Sequence, residues 1–236
     1  MQLLAGTSGY SFKEWVGPFY PEKTPAGEML RYYAERLGTV EINNTFYKMP
    51  DPEVLRRWCT EVPPSFAFTL KVRKRITHDK RLKEAGDDVA EFLRRASALG
   101  DHLGALLFQL PPFLKKDLPR LRDFLATLPA GTPAAFEFRH ESWLDDDVYA
   151  LLRDRDAMLC IADTDEGDTP FVVTSNRAYV RLRRTHYEDD ELRLWAERIA
   201  AQRLPLTYVY FMHEDDALGT RFALTLLEHW RTVGRG

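Results

Sequence analysis

Short hydrophobic runs alternate with segments of helical periodicity along the chain. The runs are four to seven residues long and mostly apolar, which is typical of buried β-strands. These runs predict eight strands, at residues 2–6, 39–43, 66–71, 104–110, from 134 onwards, 158–162, 178–182 and 206–211.

Between the strands, apolar residues recur three and four positions apart, which predicts amphipathic helices. One helix is expected at 28–37, ended by Gly38, and a short one is expected from the prolines at 50 and 52 to residue 58. Two further helices are expected to be capped, one by Asp87 or Asp88 and one by Asp117. Another is expected to begin at the acidic residues 145–147. The last two are expected at 190–202 and through residues 222–230.

Regular alternation of strand and helix, without turn signals such as Asn-Gly, predicts parallel strands joined by crossover helices. Eight such units in 236 residues match a (β/α)8 TIM barrel, an α/β fold expected here as one domain over 1–236. A doubly wound open sheet is the alternative, but it would normally carry a glycine-rich phosphate turn after the first strand.

Composition narrows the function classes. The chain is 44% hydrophobic and has a net charge of −3, with 33 basic against 36 acidic residues, so it lacks the overall basic charge of a dedicated nucleic-acid binder. Cys59 and Cys160 lack CxxC spacing and suit free thiols in a reducing compartment. No segment resembles a leader or a membrane span, so we expect a cytoplasmic protein without a membrane partner.

The most informative stretch is AAFEFRHESW at 134–143. On a strand, Phe136 and Phe138 face one side while Glu137 and Arg139 face the other. Other predicted strands also end in polar or charged residues. In a barrel the strand C-termini gather at one mouth, which would bring together Glu41, Lys71, Gln109, Glu137, Arg139, Asp163, Arg181 and His213.

Several motifs carry a resemblance: GTSGYSFKEW, VEINNTFY, ITH at 76–78, FQLPP, FEFRHESW and YVRL. Together they resemble the YecE-like family, the domain of unknown function seventy-two, from the first strand to the last. The resemblance implies a TIM barrel distantly akin to xylose isomerase and the endonuclease-four group, but no established reaction. Many members have Arg-Leu-His-Gly at 181–184 and Asn-rich residues at 212–214, where this chain differs, so the resemblance assigns no role to Arg183 or His213.

Our first hypothesis is an enzyme that acts on a small phosphorylated or carboxylated molecule by acid/base chemistry. Several ionised groups at one mouth are costly to bury unless they pair or receive a ligand. In a variant of this hypothesis, Lys71 forms a Schiff base. The candidate catalytic residues are Glu41, Lys71 and Glu137, and the candidate substrate-binding residues are Asn43, Asn44, Gln109, Arg139, Arg181 and Tyr10; no cofactor is expected.

Three alternatives stay open. The charged residues could form a structural salt-bridge network that fills the mouth. A metal-dependent sugar isomerase or endonuclease-like phosphodiesterase could use Glu41, Glu137, Asp163 and His213 as ligands, although Lys71 and Arg139 would repel a cation. A binding module could hold nucleic acid or a protein through the basic segment 73–83 and the aromatic first loop.

Overall fold

The computed structural model describes residues 1–212 and 216–233, which form a barrel of parallel strands surrounded by helices. The strands are β1 Gln2–Thr7, β2 Thr39–Ile42, β3 Ala67–Lys71, β4 Leu103–Gln109, β5 Ala134–Glu137, β6 Met158–Thr164, β7 Gly167–Asp168, β8 Arg177–Leu182 and β9 Leu206–Phe211. The helices are α1 Met29–Ala34, α2 Pro52–Thr60, α3 Gly86–Ala96, α4 Leu118–Thr127, α5 Asp146–Arg153, α6 Asp189–Ala200 and α7 Leu218–Val233.

The strand order is β1-β9-β8-β6-β5-β4-β3-β2, and every adjacent pair in this path is parallel. Helices connect most of these strands, as parallel neighbours require. The predicted TIM-barrel fold is therefore confirmed.

The barrel closes between β1 and β2 through a side chain. In the described part of the chain these two strands are neighbours without a backbone ladder. The Tyr33 hydroxyl accepts a hydrogen bond from the Thr7 amide at 2.8 Å and donates one to the Thr39 carbonyl at 3.0 Å. A Cβ on Gly6 would lie 1.9 Å from that carbonyl oxygen, so the close approach requires glycine.

Two apolar layers hold the barrel. The larger layer lies between the sheet and the helices, and it contains outward-facing residues such as Phe136 and Phe138. The smaller layer fills the barrel interior with Ala67, Ala105, Leu107, Ala135, Met158, Cys160, Tyr179, Tyr208 and Tyr210. Because side chains alternate along a strand, the next inward positions toward the C-terminal ends are the polar ones of the predicted mouth.

Asp117 and Asp145 cap α4 and α5 as predicted, since their carboxylates accept hydrogen bonds from the amides of Arg120 and Asp147, each at 3.0 Å. The predicted cap of α3 is wrong. That helix begins at Gly86 without a side-chain cap, because Asp88 instead holds the basic segment through Arg75 and Lys80.

The basic segment 73–83 contains a π-helical turn, Arg75–Asp79. Two further local expectations need correction. The α-helix predicted at 28–37 is shorter and ends at Ala34. Strand β6 does not end at residue 162 but continues to Thr164 and turns back antiparallel into β7. The Thr164 hydroxyl stabilises that turn by donating to the Gly167 carbonyl at 2.7 Å.

Candidate functional site

Five predicted site residues meet at the C-terminal mouth of the barrel. Each is an inward-facing residue at the end of its strand: Glu41 on β2, Lys71 on β3, Gln109 on β4, Glu137 on β5 and Arg181 on β8. The register of β4 and β5 sets Gln109 opposite Glu137, and the carboxamide donates a hydrogen bond to the carboxylate at 2.8 Å.

Arg181 joins the two carboxylates. Its Nη2 donates to Glu41 Oε1 at 2.7 Å and its Nη1 donates to Glu137 Oε2 at 2.5 Å. Arg181 is 2% exposed, Glu41 0% and Glu137 6%. A planar guanidinium with two separately directed N–H groups suits this bridge, and a lysine could not replace it.

Glu41 is held as a carboxylate by several donors. Besides Arg181, it accepts hydrogen bonds from Ser8 Oγ at 2.8 Å, from the Tyr179 hydroxyl at 2.5 Å and from Asn43 Nδ2 at 3.2 Å. Burial alone would raise the pKa of Glu41, but Arg181, with smaller contributions from Arg183 and the hydroxyl donors, lowers that pKa to about 2. Glu41 is therefore a poor proton acceptor near neutral pH.

Glu137 follows the same pattern. Burial opposes its ionisation, yet Arg181, the Gln109 carboxamide and Arg183 together lower its pKa below the ordinary value. Both carboxylates are therefore ionised and both are already paired with one guanidinium. One guanidinium balances only one of the two negative charges, and the remaining charge acts at longer range on Lys71 and Arg183.

Three other cations of the mouth form no direct ion pair with a carboxylate within the described residues. They are Lys71, Arg139 and Arg183. Lys71 Nζ lies 4.5 Å from the ring centre of Phe46, and Arg183 Nη1 is 3.4 Å from Ser8 Oγ. Burial, followed by the repulsion of Arg181, lowers the pKa of Lys71 to about 8.

These groups line one cleft of about 380 Å3, which we call the charged cleft. Its walls are Asn43, Phe46, Tyr47, Lys71, Gln109, Glu137, Arg139, Thr164, Arg181 and Arg183. Four cations, Lys71, Arg139, Arg181 and Arg183, gather here against the two carboxylates Glu41 and Glu137, so the cleft carries an excess of positive charge. Such a cleft favours an anionic ligand.

The structure separates two predicted binding residues from this group. Tyr10 and Asn44 line a neighbouring cleft of about 350 Å3, and Asn43 lines both clefts. His213 lies outside the described residues.

Asp163, which we expected at the mouth, lies elsewhere. Glu137 and Arg139 face the barrel mouth, but Asp163 is on the outward face of β6, one position out of phase with inward-facing Cys160 and Ala162. There it forms an ion pair with Arg184 at 2.7 Å. Burial, with the neighbouring Asp168, raises the pKa of Asp163 to about 6.

Sequence reasoning did not select Ser8 and Tyr179 and assigned no role to Arg183. Alternation could have indicated all three. Tyr179 and Arg183 are two residues either side of Arg181 and share its strand face, and Ser8 is two residues beyond inward-facing Gly6. Their hydroxyl and guanidinium groups contact Glu41 or each other.

The geometry gives little support to the two alternative functions, a metal-dependent enzyme and a nucleic-acid-binding module. The described residues contain no group of three or more His, Cys, Asp and Glu placed to share a metal ion, and the Arg181 guanidinium lies between the two candidate carboxylate ligands. In the basic segment, Arg75 and Lys80 each lie 2.7 Å from Asp88. One carboxylate thus offsets part of the charge of these two cations, which weakens their attraction for phosphates.

Comparison with known proteins gives a family but no activity. The family model described as "Protein of unknown function DUF72" matches residues 4–235. The protein UPF0759 YecE of Escherichia coli (strain K12) is 38% identical over 112 residues, covering 47% of this chain and 41% of the relative. UPF0759 YunF of Bacillus subtilis (strain 168) is 27% identical over 155 residues, covering 62% and 54%. The matched region thus spans about half the length of these curated relatives.

A solved structure agrees with the fold. The crystal structure of a DUF72 family protein, TM1631 of Thermotoga maritima MSB8, superposes with a TM-score of 0.86 at 27% identity and covers 98% of this chain and 100% of that one. In the part of the chain that the structure describes, none of the helices has the length and hydrophobicity needed to cross a bilayer.

Proposed function

The chain belongs to the DUF72 family of proteins of unknown function, and we propose that it is an enzyme whose charged cleft binds a small phosphorylated or carboxylated molecule and acts on it by acid/base chemistry. One observation carries this proposal. Lys71, Arg139 and Arg183 face a single cleft without a direct ion pair in the described chain, while Arg181 bridges Glu41 and Glu137. A purely structural network would be expected to pair its charges more completely.

Lys71 is the group best suited to exchange a proton. An amine with a pKa of about 8 exists in both protonation states near neutral pH, whereas Glu41, with a pKa of about 2, stays ionised. Efficient general acid/base catalysis needs a pKa near the working pH. We therefore assign proton transfer to Lys71 and give Glu41 and Glu137 the role of fixing Arg181.

Arg139 and Arg183 hold the anion in this proposal. Arg139 is exposed at the rim and can close on a ligand, while Arg183 is half-buried deeper in the cleft. Arg181 has both terminal nitrogens occupied by carboxylates, so it sets the electrostatic potential of the cleft and binds the ligand only indirectly. Gln109 and Asn43 contribute amide groups to the wall.

The proposed cytoplasmic location is consistent with two unbridged cysteines, Cys59 and Cys160. A metal-dependent reaction ranks below this proposal, because the described residues contain no group of three or more His, Cys, Asp and Glu placed to share a metal ion. Nucleic-acid binding ranks below it because the chain has no overall basic charge.

A calorimetric titration with inorganic phosphate, at fixed low ionic strength, tests the anion site. We expect millimolar to submillimolar binding that weakens at least about tenfold in Lys71→Met and in Arg183→Gln, because each variant removes one charge that faces the cleft. Arg203→Gln is the matched control, since Arg203 is an exposed cation on the loop before β9, at the opposite end of the barrel. Equal phosphate affinity in all four proteins would refute the proposal.

Acid/base chemistry is tested separately. Purified protein is incubated with a panel of sugar phosphates and 2-oxo or hydroxy acids in deuterated water, and exchange of carbon-bound protons is followed by NMR. Exchange that requires Lys71 supports the enzymatic proposal. If phosphate binds but no compound of the panel exchanges protons, the enzymatic part of the proposal is contradicted and the charged cleft is only a binding site.

A further inference from the structure

The second cleft, next to the charged one, is largely apolar. Its walls include Ser8, Gly9, Tyr10, Phe12, Asn43 and Trp58, and its volume is about 350 Å3. Its aromatic residues, Tyr10, Phe12 and Trp58, are each only partly buried. A concave surface of this size and composition is typical of a small-molecule site.

The aromatic walls are fixed by packing. Trp58 is stacked on Phe68, with ring centres 5.7 Å apart. Phe12 packs against Trp15 at 4.8 Å and lies across Gly9, where a Cβ would come within 2.6 Å of the ring. Gly9 has a φ of 108°, which only glycine adopts without strain. The loop is therefore built to hold the Phe12 ring at the edge of this cleft.

Asn43 connects the two clefts chemically. Its Nδ2 donates to Glu41 Oε1 at 3.2 Å, and since an ionised carboxylate can only accept, the amide oxygen must face away from it. That oxygen, Oδ1, is buried and has no hydrogen-bond partner within the described residues. A buried acceptor without a partner is costly, and a ligand donor would satisfy it.

The clefts also adjoin through Ser8. Ser8 lines the apolar cleft, and its hydroxyl contacts both Glu41 and Arg183. A ligand that spans both clefts would thus pass over Ser8 and Asn43, with its charged end near Arg183. No chain segment among the described residues fills either cleft.

We propose that the apolar cleft is the ring-binding subsite of the same ligand, so that the substrate class is an anionic compound with an aromatic ring that carries an N–H or O–H donor. The anion lies in the charged cleft, the ring lies against Phe12, Tyr10 and Trp58, and the ring donor bonds to Asn43 Oδ1. This inference rests on the proposed function. It adds the requirement for an aromatic ring, which the charged cleft alone does not impose.

Three probes test the proposal by calorimetry: inorganic phosphate, phenyl phosphate and 2-hydroxyphenyl phosphate, whose hydroxyl lies beside the phosphate ester, at the end of the ring nearest Asn43. Phenyl phosphate is expected to bind about tenfold more tightly than inorganic phosphate, because ring burial adds apolar contact. The hydroxyl of the third probe is expected to add a further severalfold gain that disappears in Asn43→Leu. Lys71→Met is expected to weaken all three.

The variants Phe12→Leu and Trp58→Leu each alter a wall of the apolar cleft. Both are expected to reduce the preference for phenyl phosphate while leaving the affinity for inorganic phosphate within about twofold. Phe113→Leu is the matched control, because Phe113 is 62% exposed and lines neither cleft. Using two wall variants keeps the test decisive if one of them does not fold.

The outcomes separate the two proposals. If inorganic phosphate binds but phenyl phosphate binds no more tightly, the ring subsite is refuted and the anion site stands. The subsite is likewise refuted if both wall variants keep the full preference for phenyl phosphate. If no phosphate binds, the anion site is refuted and the subsite falls with it.

Discussion

Replacing Arg181 with methionine tests the electrostatic centre of the mouth. The substitution keeps an unbranched side chain of moderate length but removes the one cation of the described chain that contacts both Glu41 and Glu137. Two buried carboxylates would then face each other without the guanidinium. We expect a large loss of stability at pH 7, because burial, which opposes their ionisation, would no longer be offset by Arg181.

The size of the loss follows from Glu41. Its pKa falls from the ordinary 4.5 to about 2 in the folded protein, which at ~1.4 kcal/mol per unit corresponds to about 3 kcal/mol of stabilisation. Removing one partner of a buried ion pair typically costs about 3–5 kcal/mol. Arg181→Met should therefore lower the free energy of unfolding by about 3–5 kcal/mol at pH 7.

The loss should depend on pH in a definite direction. In the wild-type protein the lowered pKa of Glu41 stabilises the fold above about pH 4.5, and this contribution is lost as the pH falls toward 2. In the variant, burial should instead raise the pKa of both carboxyl groups above the ordinary value. The penalty is then full at pH 7 and shrinks at pH 5, where the buried carboxyl groups take up protons.

Guanidinium titrations followed by tryptophan fluorescence at pH 7 and pH 5 give the measurement. Arg177→Met is the matched control, because Arg177 is on the same strand but pairs with half-exposed Asp156 at 3.8 Å. Such a surface pair contributes about 0–1 kcal/mol. The reasoning is wrong if Arg181→Met costs no more than Arg177→Met, or if its cost is the same at both pH values.

Other substitutions test the closure of the barrel between β1 and β2 and the protonation of the Lys71 amine. Tyr33→Phe removes the hydroxyl that joins β1 to β2 and should lower the free energy of unfolding by about 1–3 kcal/mol; Tyr32→Phe should change it little. Gly6→Ala would place its Cβ 1.9 Å from a backbone oxygen and should prevent normal folding, whereas Gly27→Ala meets nothing within 4 Å and should yield normal protein, as judged by circular dichroism. Lys71→Met should raise the thermal midpoint at pH 7, because a pKa lowered to about 8 means that burial disfavours the ammonium; the gain should disappear above pH 10.5.

The fold could be predicted from the sequence because its signals are local and repeated. Each strand is an apolar run between helical segments, and the observed strands agree with the predicted ones to within a few residues. Features that depend on contacts between distant residues could not be predicted. The closure of the barrel between β1 and β2 is one such feature. The sequence does not indicate that Tyr33 and Gly6 both contact the Thr39 carbonyl.

The same distinction applies to the site. Alternation along β5 correctly set Glu137 and Arg139 on the opposite face from Phe136 and Phe138. It could not show that the Arg181 guanidinium forms ion pairs with both Glu41 and Glu137 while Lys71 forms none. Asp163 was misplaced because a one-residue difference in strand phase moves a side chain to the other face.

The pKa of Lys71, measured by NMR on protein with labelled lysine side chains, tests the central claim most directly. The account predicts a value near 8 in the free protein and a clear rise when phosphate is added, because an anion beside the amine favours its charged form. Lys71→Met identifies the resonance. A free-protein pKa close to the ordinary 10.5, or one that phosphate leaves unchanged, would contradict the claim that this mouth is an anion site.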